Sequence, residues 1–151
     1  MRGNYAIGVD LGATNVRVGI GTAEGHILVR IHEKTDTSHG SEGISAQIIG
    51  MIRSLIDDAK TTIFGIGIGS IGPLDLKKGI IRQSPNIPFH SVALREPIQR
   101  EFNTFITLLN DCNAAVVGER RFGAGKGVDN LVYMTLSQVL AAASSSMDVC
   151  C

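Results

Sequence analysis

Three runs of apolar alternation follow one another almost without a gap at the start of this chain. In "YAIGVD", Tyr5, Ile7 and Val9 fall on one face and Ala6, Gly8 and Asp10 on the other. The turn formers "GATN" interrupt, and Val16, Val18 and Ile20 then resume the period of two. A second turn at Glu24-Gly25 leads into "HILVRIHEK", a third run. Connections this short join antiparallel neighbours, because a parallel crossover needs a dozen or more residues. The opening therefore predicts a three-strand antiparallel meander.

Beyond it the period changes. Ser41 is placed to cap a helix in which Ile44, Ile48, Ile52, Leu55 (or Ile56) and Ala59 share one stripe. "TTIFGIGIGS" reads as a buried strand whose alternating glycines let another backbone or a ligand come close. "LDLKKGIIR" predicts a small hairpin over Lys77-Lys78-Gly79. Leu94, Ile98 and Phe102 mark a short helix with Pro97 in its first turn. A strand "FITLLND", a helix "CNAAVVGERRF", a flexible "GAGKG" and a last apolar strand "NLVYMTLS" complete the order. A meander feeding into strand–helix alternation predicts an α/β fold, a mixed sheet whose parallel part carries helices on its faces.

Composition narrows the partners. With 151 residues, 44% of them hydrophobic, the chain can bury one core of ordinary size. The formal net charge is zero and the basic residues are scattered, which argues against nucleic acid and against a membrane surface. No apolar run approaches the ~20 residues of a membrane span. The first residues enter a strand directly, without a signal region, so a cytoplasmic location is expected. Cys112 stands alone, Cys150 and Cys151 are adjacent, and no Cys/His spacing suits zinc. His26, His32, His39 and His90 read as surface or structural residues, and Lys77-Lys78 and Arg120-Arg121 as solvated ones.

Three loops could carry chemistry, and each has a plainer explanation. "DLGATN" joins two strands with Gly, Thr and Asn, a concavity of backbone N–H groups suited to phosphate oxygens. Asp10 beside it could hold Mg²⁺ through water; a plain hairpin with an aspartate capping its turn fits the pattern equally. "TLLNDCNAAVVGE" ends an apolar strand in Asn110-Asp111 where a helix begins, the position at which open α/β sheets bind ligands. A simple helix cap by Asp111 is the plainer reading, although capping needs one such residue and "NDCN" supplies three. "GIGSIGPLD" and "SPNIPF" place Gly72 and Asn86 in stiff loops, and an Asn amide suits sugar hydroxyls. Either loop alone could be only a turn.

Together the segments "DLGATNVRVGI", "GIGIGSIGPLD", "SPN", "LLNDCNAAVVGERRFGAGKG" and "NLVYMTLS" resemble the N-terminal lobe of the ROK-family sugar kinases, members of the actin-like ATPase (ribonuclease H-like) superfamily. All five lie in the family's order, over nearly the whole chain up to Ser137. The resemblance implies ATP-dependent phosphorylation of a hexose hydroxyl, most commonly that of glucose, with fructose or an N-acetylhexosamine as the other sugars of its class. It assigns Asp111 as general base, and Gly72, Asn86, Asn110 and Asp111 to the sugar. It assigns Asp10, Gly12, Thr14, Asn15 and Arg17 to the phosphates of ATP, with Asp10 on Mg²⁺ through water. The chain opens on the phosphate-loop strand, so no DNA-binding extension of the family's repressors is expected.

After Ser137 the resemblance implies a second glycine-rich loop of the form TGIGGG, then a second lobe with an ExGH sugar motif, a zinc motif and an adenosine pocket. The chain instead ends in "QVLAAASSSMDVCC", a stretch without apparent periodicity. A coding string for Thr-Gly-Ile-Gly-Gly-Gly-Val-Ile-Val-Asp-Gly-Arg-Val-Leu, read with its first base removed, encodes that tail residue for residue. The expected organisation is therefore an N-terminal lobe over 1–128, the first strand of a missing second lobe over 129–137, and an out-of-frame tail over 138–151. Such a chain is expected to be inactive as a kinase, with a sugar- or phosphate-binding remnant as the non-catalytic alternative. Its exposed lobe face and unpaired last strand are expected to favour self-association.

Overall fold

The computed structural model describes residues 5–59, 62–136 and 140–145. The meander forms as the alternation requires. β1 (Tyr5–Leu11), β2 (Asn15–Thr22) and β3 (Ile27–Lys34) pair antiparallel in sequence order. After α1 (Gly40–Ala59), β4 (Ile63–Ser70) returns to lie parallel to β1. β8 (Phe105–Asn110) lies parallel to β4, completing a five-stranded sheet of order β3-β2-β1-β4-β8.

Period-two patterning divides this sheet into two unlike faces. Ile7, Val9 and Leu11 of β1, Val18 and Ile20 of β2, and Ile66 and Ile68 of β4 are buried together with Ile44, Ile48 and Ile52 of α1. These four α1 and β-strand groups form the core, at roughly 1.5–3 kcal/mol for each buried aliphatic side chain. On the opposite face α3 (Asp111–Phe122) packs closely: a methyl group at Gly69 would lie 3.0 Å from the Ala114 Cβ. Helices thus cover both faces, as the strand–helix alternation predicted.

Local details depart from the sequence reading in three places. Ser41 lies one residue inside α1, which starts at Gly40 in the left-handed region (φ 73°), so Ser41 does not cap it. The hairpin of β5 (Leu74–Asp75) and β6 (Ile80–Arg82) gains a third strand, β7 (Ser91–Ala93), before α2 (Arg95–Phe102). Val92 is buried in that short strand, and three residues are too few to show a period. Finally β9 (Leu131–Leu136) is not unpaired: β10 (Leu140–Ser145) runs antiparallel beside it. Ladder bonds come from the backbone, so an Ala/Ser stretch can supply them without a hydrophobic pattern of its own. Ser137 and the cysteine pair at 150–151 lie outside the described residues.

Candidate functional site

Parallel register brings the loops of interest to one end of the sheet. Asp10 of β1 is level with Gly69 of β4, and Leu11 with Ser70; Ser70 in turn is level with Asn110 of β8. The carboxyl ends of three adjacent parallel strands therefore finish in line, and this is where open α/β sheets take ligands.

At the first strand end, Asp10 is exposed and accepts a hydrogen bond from Arg17 Nη1 (2.8 Å). Beyond it the turn is tied tightly. The Gly12 N–H donates to the Asn15 carbonyl (2.9 Å), and a methyl at Gly12 would come within 3.1 Å of that oxygen, so a glycine suits the position. Thr14 is exposed at the tip, and Asn15 begins β2. Thr35 clamps the turn from the β3–α1 connection: its hydroxyl donates to the Gly12 carbonyl (2.8 Å) and its N–H to the Thr14 carbonyl (2.9 Å). Thr35 escaped the sequence reading because it lies beyond the third strand, far along the chain from the loop it fastens.

At the last strand end, Asn110 caps α3. Its side-chain oxygen accepts from the Cys112 N–H (3.1 Å), and its backbone is extended, as a cap requires. Its Nδ2 donates to the Ser70 carbonyl (3.4 Å), which ties β8 to β4. Asp111 is the first residue of α3 rather than its cap, although one of its oxygens also accepts from the Cys112 N–H (2.8 Å). That position lets the aspartate share the favourable field of the helix N-terminus. Gly72 adjoins this group: a methyl there would sit 3.6 Å from Asn110 Nδ2. Asn86 is exposed in the β6–β7 loop, where its N–H reaches Ser84 Oγ (3.4 Å). The structure thus brings Gly72, Asn110 and Asp111 together and leaves Asn86 on a neighbouring loop. Ser70, buried at the end of β4, was not singled out by the sequence, because a serine closing a strand looks like any turn residue.

Among the described residues no group of His, Cys, Asp and Glu side chains could hold a metal by itself, and no helix is long and apolar enough to cross a membrane. An actin-like ATPase lobe with its ligand end marked by an aspartate, a Gly/Thr/Asn turn and an Asn-Asp pair is the class that this geometry defines. The sequence matches the ROK family over residues 6–140, and the chain belongs to that family.

A glucokinase of Thermotoga maritima is 39% identical over 131 residues, which are 86% of this chain and 41% of that protein. The crystal structure of a ROK-family glucokinase from Streptomyces griseus, in complex with glucose and AMPPNP, superposes with a TM-score of 0.81 at 30% identity, over 94% of this chain and 44% of that one. A ROK hexokinase from Thermus thermophilus gives 0.83 at 26% identity, over 94% and 47%. The chain thus spans less than half the length of each of these three proteins.

Proposed function

We propose that this lobe is one half of a cytoplasmic ATP-dependent hexose kinase whose sugar is glucose. The observation that carries the reading is the register at the carboxyl end of the sheet, which lines up Asp10, Ser70 and Asn110-Asp111. The glucokinase relatives and the glucose and AMPPNP bound by the Streptomyces griseus protein support the choice of sugar and nucleotide.

In this reading the Asn110 amide and the Gly72 loop hold the sugar, with Asn86 closing on it from the β6–β7 loop. Asp111 accepts the proton of the sugar hydroxyl as its oxygen attacks the terminal phosphorus and ADP leaves. Phosphoryl transfer asks for positioning and charge neutralisation more than covalent help. The turn from Gly12 to Asn15 receives the phosphates, with Arg17 as an additional cation. Asp10 is an exposed carboxylate with one oxygen on Arg17, and among the described residues no group of three or more His, Cys, Asp and Glu could hold a metal, so Asp10 fits Mg²⁺ only as an ion that keeps most of its water. Mg²⁺ would neutralise phosphate charge there.

By itself the 151-residue chain is expected to turn over no glucose, because such kinases hold the nucleotide between lobes that close on it. A second reading, a sugar- or phosphate-binding remnant, draws on Asp111, whose carboxylate is turned back onto its own helix. A coupled assay for glucose phosphorylation, with Asp111→Ala as control, decides between them. Turnover that survives Asp111→Ala removes the base assignment, and calorimetric glucose binding without turnover favours the remnant.

The domain reading follows the same line: residues 1–128 form the N-terminal lobe, 129–137 the first strand of a second lobe, and 138–151 are read out of frame. The family match covers the proposed lobe and first strand and runs to residue 140, three residues into the proposed tail. Sequencing the bases that follow the Ser137 codon tests it, and a neighbouring frame that does not encode TGIGGG refutes it.

A further inference from the structure

The turn that joins β1 to β2 lies past the end of its sheet. Register carries the ladder of β2 with β3 as far as Asn15 and Lys34, and Gly12, Ala13 and Thr14 stand beyond it. Thr35 takes the carbonyls on either side of Ala13-Thr14: its hydroxyl donates to that of Gly12 (2.8 Å) and its N–H to that of Thr14 (2.9 Å). In a planar trans peptide the C=O and the N–H point in opposite directions. The N–H groups of Ala13 and Asn15, which follow those two carbonyls, therefore turn away from Thr35. Two bonds from one threonine thus fix the side on which the turn presents its donors, and that is the property a phosphate-binding concavity depends on.

Thr35 is itself held from a distance. It lies in the connection from β3 to α1, and one side chain of α1, Gln47, ties the residues on both sides of it. Gln47 Oε1 accepts from the Asp36 N–H (3.0 Å), while Nε2 donates to the Lys34 carbonyl (2.8 Å) and to Glu33 Oε2 (2.8 Å). The amide spends its acceptor and both donors on this bracket, and a flipped amide would set its oxygen against two other oxygens. A glutamate at the same place would lose the bond to Lys34 and face Glu33 as a like charge. The helix beneath is firmly seated, since Ile44 and Ile48 on either side of Gln47 are fully buried. We propose that Gln47, acting through Thr35, is a positioning residue for the Gly12–Asn15 turn, and that it couples the seating of α1 to the turn's affinity for phosphoryl oxygens. This role rests on the reading of that turn as the phosphate site.

Two measurements on the full chain test it. Amide exchange followed by NMR reads the turn directly. Gln47→Met keeps the stem and removes the amide, and should speed exchange at Gly12 and Thr35 about tenfold while Ile66, buried in β4, is unchanged. A general loss of stability would speed all three alike, and would make Gln47 merely structural. Calorimetry with Mg-ATP and with pyrophosphate should find affinity about tenfold weaker in Gln47→Met and in Thr35→Val, and recovered in Thr35→Ser, which returns the hydroxyl. Gly12 exchange and affinity that ignore Gln47 overturn the proposal, as does a Thr35→Ser chain that binds no better than Thr35→Val. A parent chain that binds neither probe overturns the phosphate reading and the affinity half of the proposal with it. Gly12 exchange then shows separately whether Gln47 shapes the turn.

Discussion

Arg17 and Asp10 are direct partners in the β1–β2 ladder, and Arg17 Nη1 lies 2.8 Å from Asp10 Oδ2. Both side chains are 55% exposed, so water screens the pair, and its loss should change stability by less than about 1 kcal/mol. Arg17→Ala is therefore expected to leave the melting temperature almost unchanged. Calorimetry with Mg²⁺ and ATP should find binding several-fold weaker, because the proposed phosphate turn loses its nearby cation. Equal binding by the variant would remove Arg17 from the nucleotide site.

Asn110 and Asp111 both accept from the Cys112 N–H, but only Asn110 has the backbone of a cap and a further bond to the Ser70 carbonyl. Urea denaturation should therefore find Asn110→Ala destabilising by about 1 kcal/mol, the usual worth of a cap. Asp111→Ala should cost less, since Asn110 continues to satisfy the same donor. The reverse order would make Asp111 the structural residue of the two.

Asp36 precedes α1, and the Ser38 hydroxyl, then His39 and the Ser38 N–H, hold its carboxyl down to about 2 from 3.8. A depressed carboxyl contributes stability above its unfolded value, and the contribution is lost as pH falls through the folded one. The tether before α1 should thus persist at pH 7 and release between about pH 4 and 2. A carbon-detected NMR titration should place the Asp36 midpoint near 2, and Ser38→Ala should move it upward. A midpoint unchanged in Ser38→Ala would contradict this assignment of cause.

Gly69 and Gly67 share a strand face but not a neighbourhood. A methyl at Gly69 would be 3.0 Å from the Ala114 Cβ, whereas one at Gly67 meets only the Ile7 carbonyl at 4.0 Å. Gly69→Ala should push α3 off the sheet at a cost of about 1–3 kcal/mol, as overpacking does. Gly67→Ala should fall within about 0.5 kcal/mol of the parent, and chemical denaturation of the pair checks the contrast.

Much of this could be read directly from the residues. The meander was legible because Ile7, Val9, Val18 and Ile20 alternate without exception, and a period of two needs no distant information. The stripe Ile44, Ile48, Ile52 and Leu55 was legible for the same reason at helical spacing. The strand at 91–93 and the clamp by Thr35 were not, since the first is too short for a period and the second depends on a contact across the chain. The cap was misplaced by one residue because Asn110 and Asp111 offer the same oxygen chemistry, and only backbone geometry chooses between them.

Local periodicity, turn chemistry and residue order by themselves determined most of the elements, the mixed sheet and the family, though not the short β7 or the β10 partner of β9. They did so because each is set within a few residues along the chain. Only the tertiary structure decided which residues stand level with one another. Register placed Asp10, Ser70 and Asn110 at one end of the sheet and lined Gly19, Gly8 and Gly67 into one row, although they come from separate strands. Such alignments arise from pairing between strands far apart in sequence, where a slip of one residue would turn every side chain to the other face.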